Sequence, residues 1–557
     1  MKRIFAIVFA VLTIATAVSA QTRSLQEMKQ ITAQKLQALH GDAAMSRGTH
    51  VDSDVEVLMQ APMYTILGSS DMGFVIMSND RRLRPVLAYS GQSIDVSNLP
   101  CGLNWWLNAV SEAMTKQLTS GGRTEASAPR HEAKKRIEPM LTSKWNQSDP
   151  FNKKCPEVNG SLPPAGCVAT ALSQLLYFHK YPESCEGEGY YTLGDGARQY
   201  PVTLNSTYDW TLLDDSYISS FFLSEEKKMA VAQLLFDCGA AVHMNYDTSG
   251  SGAVLSRAGT ALSHNFRCDS LSVRALEREY FDTDEWMQII RTELEAERPV
   301  IYGGQDASEG GHAFVLHGID EDDLVYVNWG WGGKGDCWTS IDLLTPDGET
   351  SSFISGQDMV VGLRKTPEPA ASEKYQSRWA AHTPETMSLN VFKRLQISSF
   401  TAFNVHHLTF YGTMGVYFEK TDGSERILLP YIETGKDVDP VQSGSGYNFS
   451  DKSFYLTELS VGTYYAYMAS KAIQEDTPQP LRQVGGKINV YTITINEDRS
   501  VTIDQKEELS EVPTTTAIKS VVTTEQPDIH YFDLQGRQVN SPMRGIYIQN
   551  GKKVVME

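Results

Sequence analysis

Ala165-Gly166-Cys167-Val168-Ala169-Thr170 runs directly into Leu172, Leu175, Leu176 and His179, and Pro182 closes the segment. Apolar residues three and four apart describe a helix buried over most of its surface, with Gly166 and Pro182 punctuating its ends. The pattern predicts a core helix whose first turn carries a thiol. A cysteine placed there meets the positive end of the helix dipole, which favours thiolate. A buried structural cysteine is the commoner fate of such a residue, so a reactive reading needs a matching base.

Gly310-Gly311-His312-Ala313-Phe314-Val315-Leu316 offers one, placing His312 at the start of an apolar strand 145 residues after Cys167. That interval lies within the roughly 130–150 residues separating nucleophile and base in papain-like enzymes. The chain has 12 histidines, and His179, His243, His264 and His317 read as ordinary core or surface residues. The next strand, Leu324 to Trp329, can pair antiparallel with the His312 strand. Asn328 can then meet the imidazole and fix its tautomer, the third-member role in a cysteine triad, with Trp329 shielding that bond or simply packing. Gln147, 20 residues before Cys167, can supply a neutral amide donor that forms an oxyanion hole with the Cys167 N–H.

These segments together resemble the streptopain family of papain-like cysteine peptidases. The resemblance rests on Gly166-Cys167-Val168-Ala169-Thr170-Ala171, Gly311-His312-Ala313-Phe314-Val315 and Val327-Asn328-Trp329-Gly330-Trp331-Gly332-Gly333. It implies Cys167 as nucleophile, His312 as base and Gln147 as oxyanion donor. It leaves open whether Asn328 or Trp329 orients His312. It also implies endopeptidase action on protein or peptide substrates, with an apolar side chain preferred two residues before the cut. Upstream, Gly73 to Ser90 is similar to the family's inhibitory propeptide. Downstream, Tyr531 to Val539 and Arg544 to Val555 resemble C-terminal domains read by the type IX outer-membrane secretion machinery.

Other chemistries lack their residues. The seven cysteines include no Cys-x-x-Cys, and Lys135 stands where a second zinc-binding His would follow His131-Glu132. Gly250-Ser251-Gly252 continues into neither a dinucleotide nor a phosphate loop. No metal or other cofactor is expected. The 68 acidic against 49 basic residues, net −19, repel phosphate backbones, so nucleic acid is not an expected partner.

Lys2 and Arg3, the apolar run Ile4 to Val18 and Val18-Ser19-Ala20 read as a secretory signal peptide over residues 1–20. Residues 21–136 form an α+β unit, with the capping box Ser24 to Glu27, strands near Tyr64–Leu67 and Phe74–Ser78, and a helix around Trp105, Trp106 and Met114. It ends in a basic linker, Arg123 to Arg136. Residues 137–365 are the expected catalytic domain. Residues 366–510 read as an antiparallel Ig-like sandwich, and 511–557 as a linker and tail whose Asn550-Gly551 turns a hairpin.

The sequence therefore predicts an α+β chain. A two-lobed papain-like domain follows an α+β propeptide and precedes an all-β sandwich and a small β-rich sorting domain. Its expected activity is that of a secreted, self-processing cysteine endopeptidase, inhibited by its own propeptide and exported across both membranes of a Gram-negative cell. The alternative is a non-catalytic surface adhesin on the same scaffold, suggested by the sandwich and tail.

Overall fold

The computed structural model describes residues 22–40, 55–69, 72–119, 134–217, 223–306, 310–341, 356–365, 378–381, 385–406, 408–504 and 506–513, with four short strands between 531 and 556. The signal-peptide segment, most of the basic linker and the linker preceding the tail lie outside the described residues.

The N-terminal unit opens with helix α1 (Leu25–His40), where the Ser24 Oγ accepts the Glu27 N–H as the capping box predicts. Four antiparallel strands follow, β1 (Glu56–Gln60), β2 (Tyr64–Ser69), β3 (Gly73–Ser78) and β4 (Val86–Ser90), then helix α2 (Cys101–Thr119). The catalytic segment contributes helix α3 (Cys167–His179), the small strands β5 (Glu188–Leu193), β6 (Tyr200–Thr203) and β7 (Asn245–Tyr246), and helices α4 (Glu225–Ala241), α5 (Ser256–His264) and α6 (Thr283–Glu295). Its sheet is built from β8 (Arg274–Glu277), β9 (Val300–Asp306), β10 (Gly310–Ile319), β11 (Val325–Asn328), β12 (Cys337–Thr339) and β13 (Gln357–Val361).

The two units share one sheet. Strand order runs β1-β2-β3-β4-β12-β11-β10-β9-β13-β8, because β4 pairs with β12 at Tyr89↔Trp338 and Ala88↔Thr339. An exposed sheet edge is a template for another strand, and here the N-terminal unit occupies that edge. The Tyr89 hydroxyl donates to Asp320 (2.8 Å), the Ser90 hydroxyl to the Asp336 carbonyl (2.9 Å) and the Trp106 indole to the Ser340 carbonyl (2.7 Å).

Alternation along the strands divides the core. Ile301, Ala313, Val315 and Val360 face α3, with Leu172 and Leu175 packed on them. Tyr302, Phe314, Leu316 and Met359 point to the other side, where α2 brings Leu103, Trp105 and Trp106, and α6 brings Trp286 and Ile290. Burying side chains of this size contributes about 1.5–3 kcal/mol each, so α2 is a component of the core rather than an appendage.

The sandwich region is all-β, as its alternation predicts. Gly412–Lys420 and Gly462–Ala472 pair antiparallel at its centre, with Ile488–Ile495 beside them. In the tail, Gly545–Gln549 pairs antiparallel with Lys552–Met556, Gln549 opposite Lys552, while the expected turn residues Asn550-Gly551 lie outside the described residues. Among the described residues no helix is long and apolar enough to cross a membrane.

Candidate active site

Cys167 is the first residue of α3. Gly166 adopts φ 93°, a conformation L side chains rarely take, and a Cβ there would press on the Met244 side chain. The glycine thus lets the chain turn sharply into the helix. The backbone N–H groups of Ala313, Val168 and Cys167 itself are directed at the thiol, yet burial dominates and pushes its pKa up. The helix terminus alone does not produce a thiolate here.

His312 lies on β10 opposite Gly304 of β9. Its ring is bound from two sides. Cys101 Sγ stands 3.4 Å from Nδ1 and 3.5 Å from Nε2, and the ring also hydrogen-bonds the Trp329 backbone. Burial lowers its pKa to about 4, with the bond to Trp329 opposing that shift. None of the hydrogen bonds among the described residues joins Cys167 to His312. Gly102 closes against the same ring: a Cβ on it would meet His312, and would lie 2.6 Å from Trp329 Cε3. Beside them Trp105 lies across Gly304, where any side chain would collide with the indole. The start of α2 occupies the imidazole's surroundings.

Asn328 does not take the place expected of it. Strand pairing sets Asn328 opposite Val315, three residues past His312. The Asn328 amide donates to the Ser143 carbonyl (2.8 Å) and exchanges hydrogen bonds with Gln174 (3.1 Å each way), while its Oδ1 accepts the Gly330 N–H (2.9 Å). Trp329 is fully buried; its N–H donates to Asp336 Oδ1 (3.1 Å) and its indole to the Gly335 carbonyl (2.9 Å). Gly330, Gly332, Gly333 and Gly335 all have positive φ, which explains the glycine-rich run after Trp329. Burial raises the pKa of Asp336 to about 7.

Gln147 is half-buried, and its carbonyl accepts the Ala165 N–H (2.8 Å), tying it two residues ahead of Cys167. Cys101, Gly102, Gln174 and Asp336 were not among the residues expected at the site. Gln174 sits two turns into α3 and gives no sequence signal, while Cys101 reads only as one more cysteine until α2 is docked. All seven cysteines are free thiols, and no metal-binding group of three or more His, Cys, Asp or Glu occurs among the described residues.

Streptopain of Streptococcus pyogenes is 31% identical to this chain over 359 residues, covering 58% of this chain and 87% of streptopain. The chain belongs to the streptopain family of cysteine peptidases. The Peptidase C10 family matches residues 145–338, and the Spi protease inhibitor family matches residues 16–114. The thiol protease/hemagglutinin PrtT of Porphyromonas gingivalis is 31% identical over 324 residues, covering 54% of this chain and 36% of that protein. A solved fragment of Prevotella intermedia prointerpain A, a Cys→Ala mutant, is 32% identical with a TM-score of 0.51, covering 56% of this chain and 99% of the fragment. The chain is therefore a cysteine protease with an inhibitor-like propeptide, not the non-catalytic adhesin kept as the alternative.

Proposed function

We propose that this streptopain-family protease is a self-processing zymogen in which the start of α2 holds His312 away from Cys167. The observation that carries the reading is the Cys101–His312 contact, with Gly102 seated against His312 and Trp329. Removal of α2 frees the ring to reach the thiol and take its proton. The Cys167 thiolate then attacks the substrate carbonyl carbon, while the Cys167 N–H and the Gln147 amide stabilise the oxyanion. As the C–N bond breaks, imidazolium protonates the leaving amine. His312 next deprotonates water, which hydrolyses the thioester and restores the thiol. The Trp329 carbonyl, rather than Asn328, orients the ring, and Asn328 holds the loop that presents Trp329.

The propeptide begins at residue 21, and its expected end at 136 is moved upstream: maturation cuts fall between Thr119 and Lys134. Arg136 packs over the Trp338 ring and Ile137 exchanges backbone hydrogen bonds with Ile319, which favours retention of these residues after processing. Substrates are proteins or peptides, with an apolar side chain favoured two residues before the cut. Residues 1–20 direct export, and 511–557 engage an outer-membrane secretion machinery that delivers the protease to the surface or medium. The sandwich at 366–510 has no assigned activity.

Purified Cys167→Ala should persist at full length under reducing conditions while wild type shortens, and trace mature wild type should process the variant. Trimming of Cys167→Ala at the wild-type rate without added protease would refute self-processing. Deleting residues 531–557 should leave catalysis intact and retain the protein in the periplasm; normal surface delivery would refute the sorting role.

A further inference from the structure

Of the seven cysteines, Cys101 is the exposed one; Cys167 is half-buried and the other five are buried. Cys101 is also the first residue of α2, a helix of 19 residues. Solutes in the surrounding water can therefore reach its thiol.

Its Sγ lies within 3.5 Å of both His312 ring nitrogens. The bond to the Trp329 backbone raises the His312 pKa, so there a ring N–H donates to a carbonyl oxygen. The second ring nitrogen is left as an acceptor, and the Cys101 thiol stands against it. A thiol, an imidazole and an acceptor that orients the imidazole are the parts of an activated cysteine nucleophile. In the precursor they are assembled on Cys101, while Cys167 is bound by backbone N–H groups. The assembly has no slack. A Cβ on Gly102 would collide with the ring and lie 2.6 Å from Trp329 Cε3.

We propose that Cys101 is a modification site for small-molecule disulfides, and that its thiolation releases the start of α2 from His312. His312 takes the Cys101 proton, and the thiolate attacks one sulfur of the disulfide R–S–S–R. The new S–S bond forms as the old one breaks, and the imidazolium returns the proton to the leaving RS⁻. The products are the mixed disulfide on Cys101 and one RSH: the Cys101 sulfur is oxidised, the departing sulfur reduced. A sulfur without its hydrogen no longer donates to the ring, and the added group sits where Gly102 leaves no room to adjust. Cys167 lacks the help of the ring, so the histidine is released while the nucleophile is still a thiol. The inference rests on the reading that α2 holds His312 away from Cys167, and adds a chemical trigger to it.

The probe is glutathione disulfide, applied to full-length Cys167→Ala precursor so that no processing intervenes. Peptide mapping should find Cys101 modified at least tenfold faster than any other cysteine, and at least tenfold slower in Cys167→Ala/His312→Gln precursor. In freshly purified wild-type precursor the first glutathionyl group should map to residue 101 rather than 167. Hydrogen exchange of residues 102–119 should quicken at least tenfold on modification and recover with dithiothreitol, whereas Cys167→Ala/Cys101→Ser precursor should show no change. Equal modification of Cys101 with and without the ring, or first modification at Cys167, overturns the site. Modification with unchanged exchange overturns the release. Gly102→Val in Cys167→Ala precursor separates this from the underlying reading, because it should loosen the same helix with no disulfide present. If Gly102→Val loosens the helix and thiolation does not, this inference falls alone. If neither does, the docking of α2 on His312 falls with it.

Discussion

Cys101 Sγ lies 3.4 Å from His312 Nδ1, so a thiol of the N-terminal unit touches the histidine while the Cys167 thiol is bound by backbone N–H groups. The adjacent Gly102 has no room for a side chain against His312 and Trp329. Gly102→Val should therefore lift the start of α2 from the ring and shorten the half-time of maturation several-fold. The mature enzyme should keep its kcat/KM, because residue 102 leaves with the propeptide. Time courses on gels and a single mature-enzyme assay check both points; an unchanged half-time would show that inhibition is exerted elsewhere.

The state of the thiol gives a second prediction. Burial raises the Cys167 pKa, and burial holds His312 neutral down to about pH 4, so the precursor lacks a thiolate–imidazolium pair. Iodoacetamide should label Cys167 slowly in intact precursor at pH 5–6, and at least tenfold faster after processing. Peptide mapping of labelled His312→Ala precursor, which cannot self-process, supplies the unprocessed reference. Equal labelling before and after processing would contradict the docked description of the site.

The Asn328 network predicts a loss of stability rather than of chemistry. This side chain is 1% exposed and satisfies Ser143, Gln174 and Gly330 together. Asn328→Leu strands those groups at about 1–3 kcal/mol each, so the melting temperature of Cys167→Ala precursor carrying it should fall by several degrees. The pH profile of residual activity in Asn328→Leu should keep its wild-type midpoints. A displaced midpoint would return Asn328 to the role of orienting His312.

What was readable in the sequence follows from locality. The α3 pattern, the His312 strand, the Ser24 cap and the paired tail strands Gly545–Gln549 and Lys552–Met556 are encoded within a few residues of themselves, and each forms where expected. The surroundings of Asn328 were not readable, because strand pairing sets it opposite Val315 and its hydrogen-bond partners Ser143 and Gln174 are far away in sequence. The shared sheet was also hidden. Residues 73–90 read as strands of a separate unit, but the pairing of β4 with β12 joins positions about 250 residues apart. Gln174 and Asp336 escaped for the same reason, since their importance comes from what tertiary folding sets beside them. The basic run ending at Arg136 reads only as a linker, yet Lys134 pairs with Asp323 (2.6 Å), and Arg136 donates to the Tyr89 hydroxyl (3.1 Å).

Protons should loosen the docked propeptide. His312 is held neutral to about pH 4 by its burial under α2, and a ring released to water returns toward the usual 6.5. The docked state thus binds fewer protons than the open one, so docking is complete above pH 6.5, weakens as pH falls, and loses nothing further below about 4. The difference sets a ceiling of about 3 kcal/mol, reduced by the partial exposure of the ring. Asp336, raised to about 7 by burial, opposes this: it gains a proton in the folded form and favours folding as pH falls. The two contributions are separable by mutation. Hydrogen exchange of residues 101–119 in Cys167→Ala precursor, corrected for intrinsic rates, should lose protection tenfold or more between pH 7 and pH 4.5. In Cys167→Ala/His312→Gln precursor the loss should disappear. If the double variant loosened as much as the single one, the proton would bind at a group other than His312, and the contact with α2 would not make inhibition pH-sensitive.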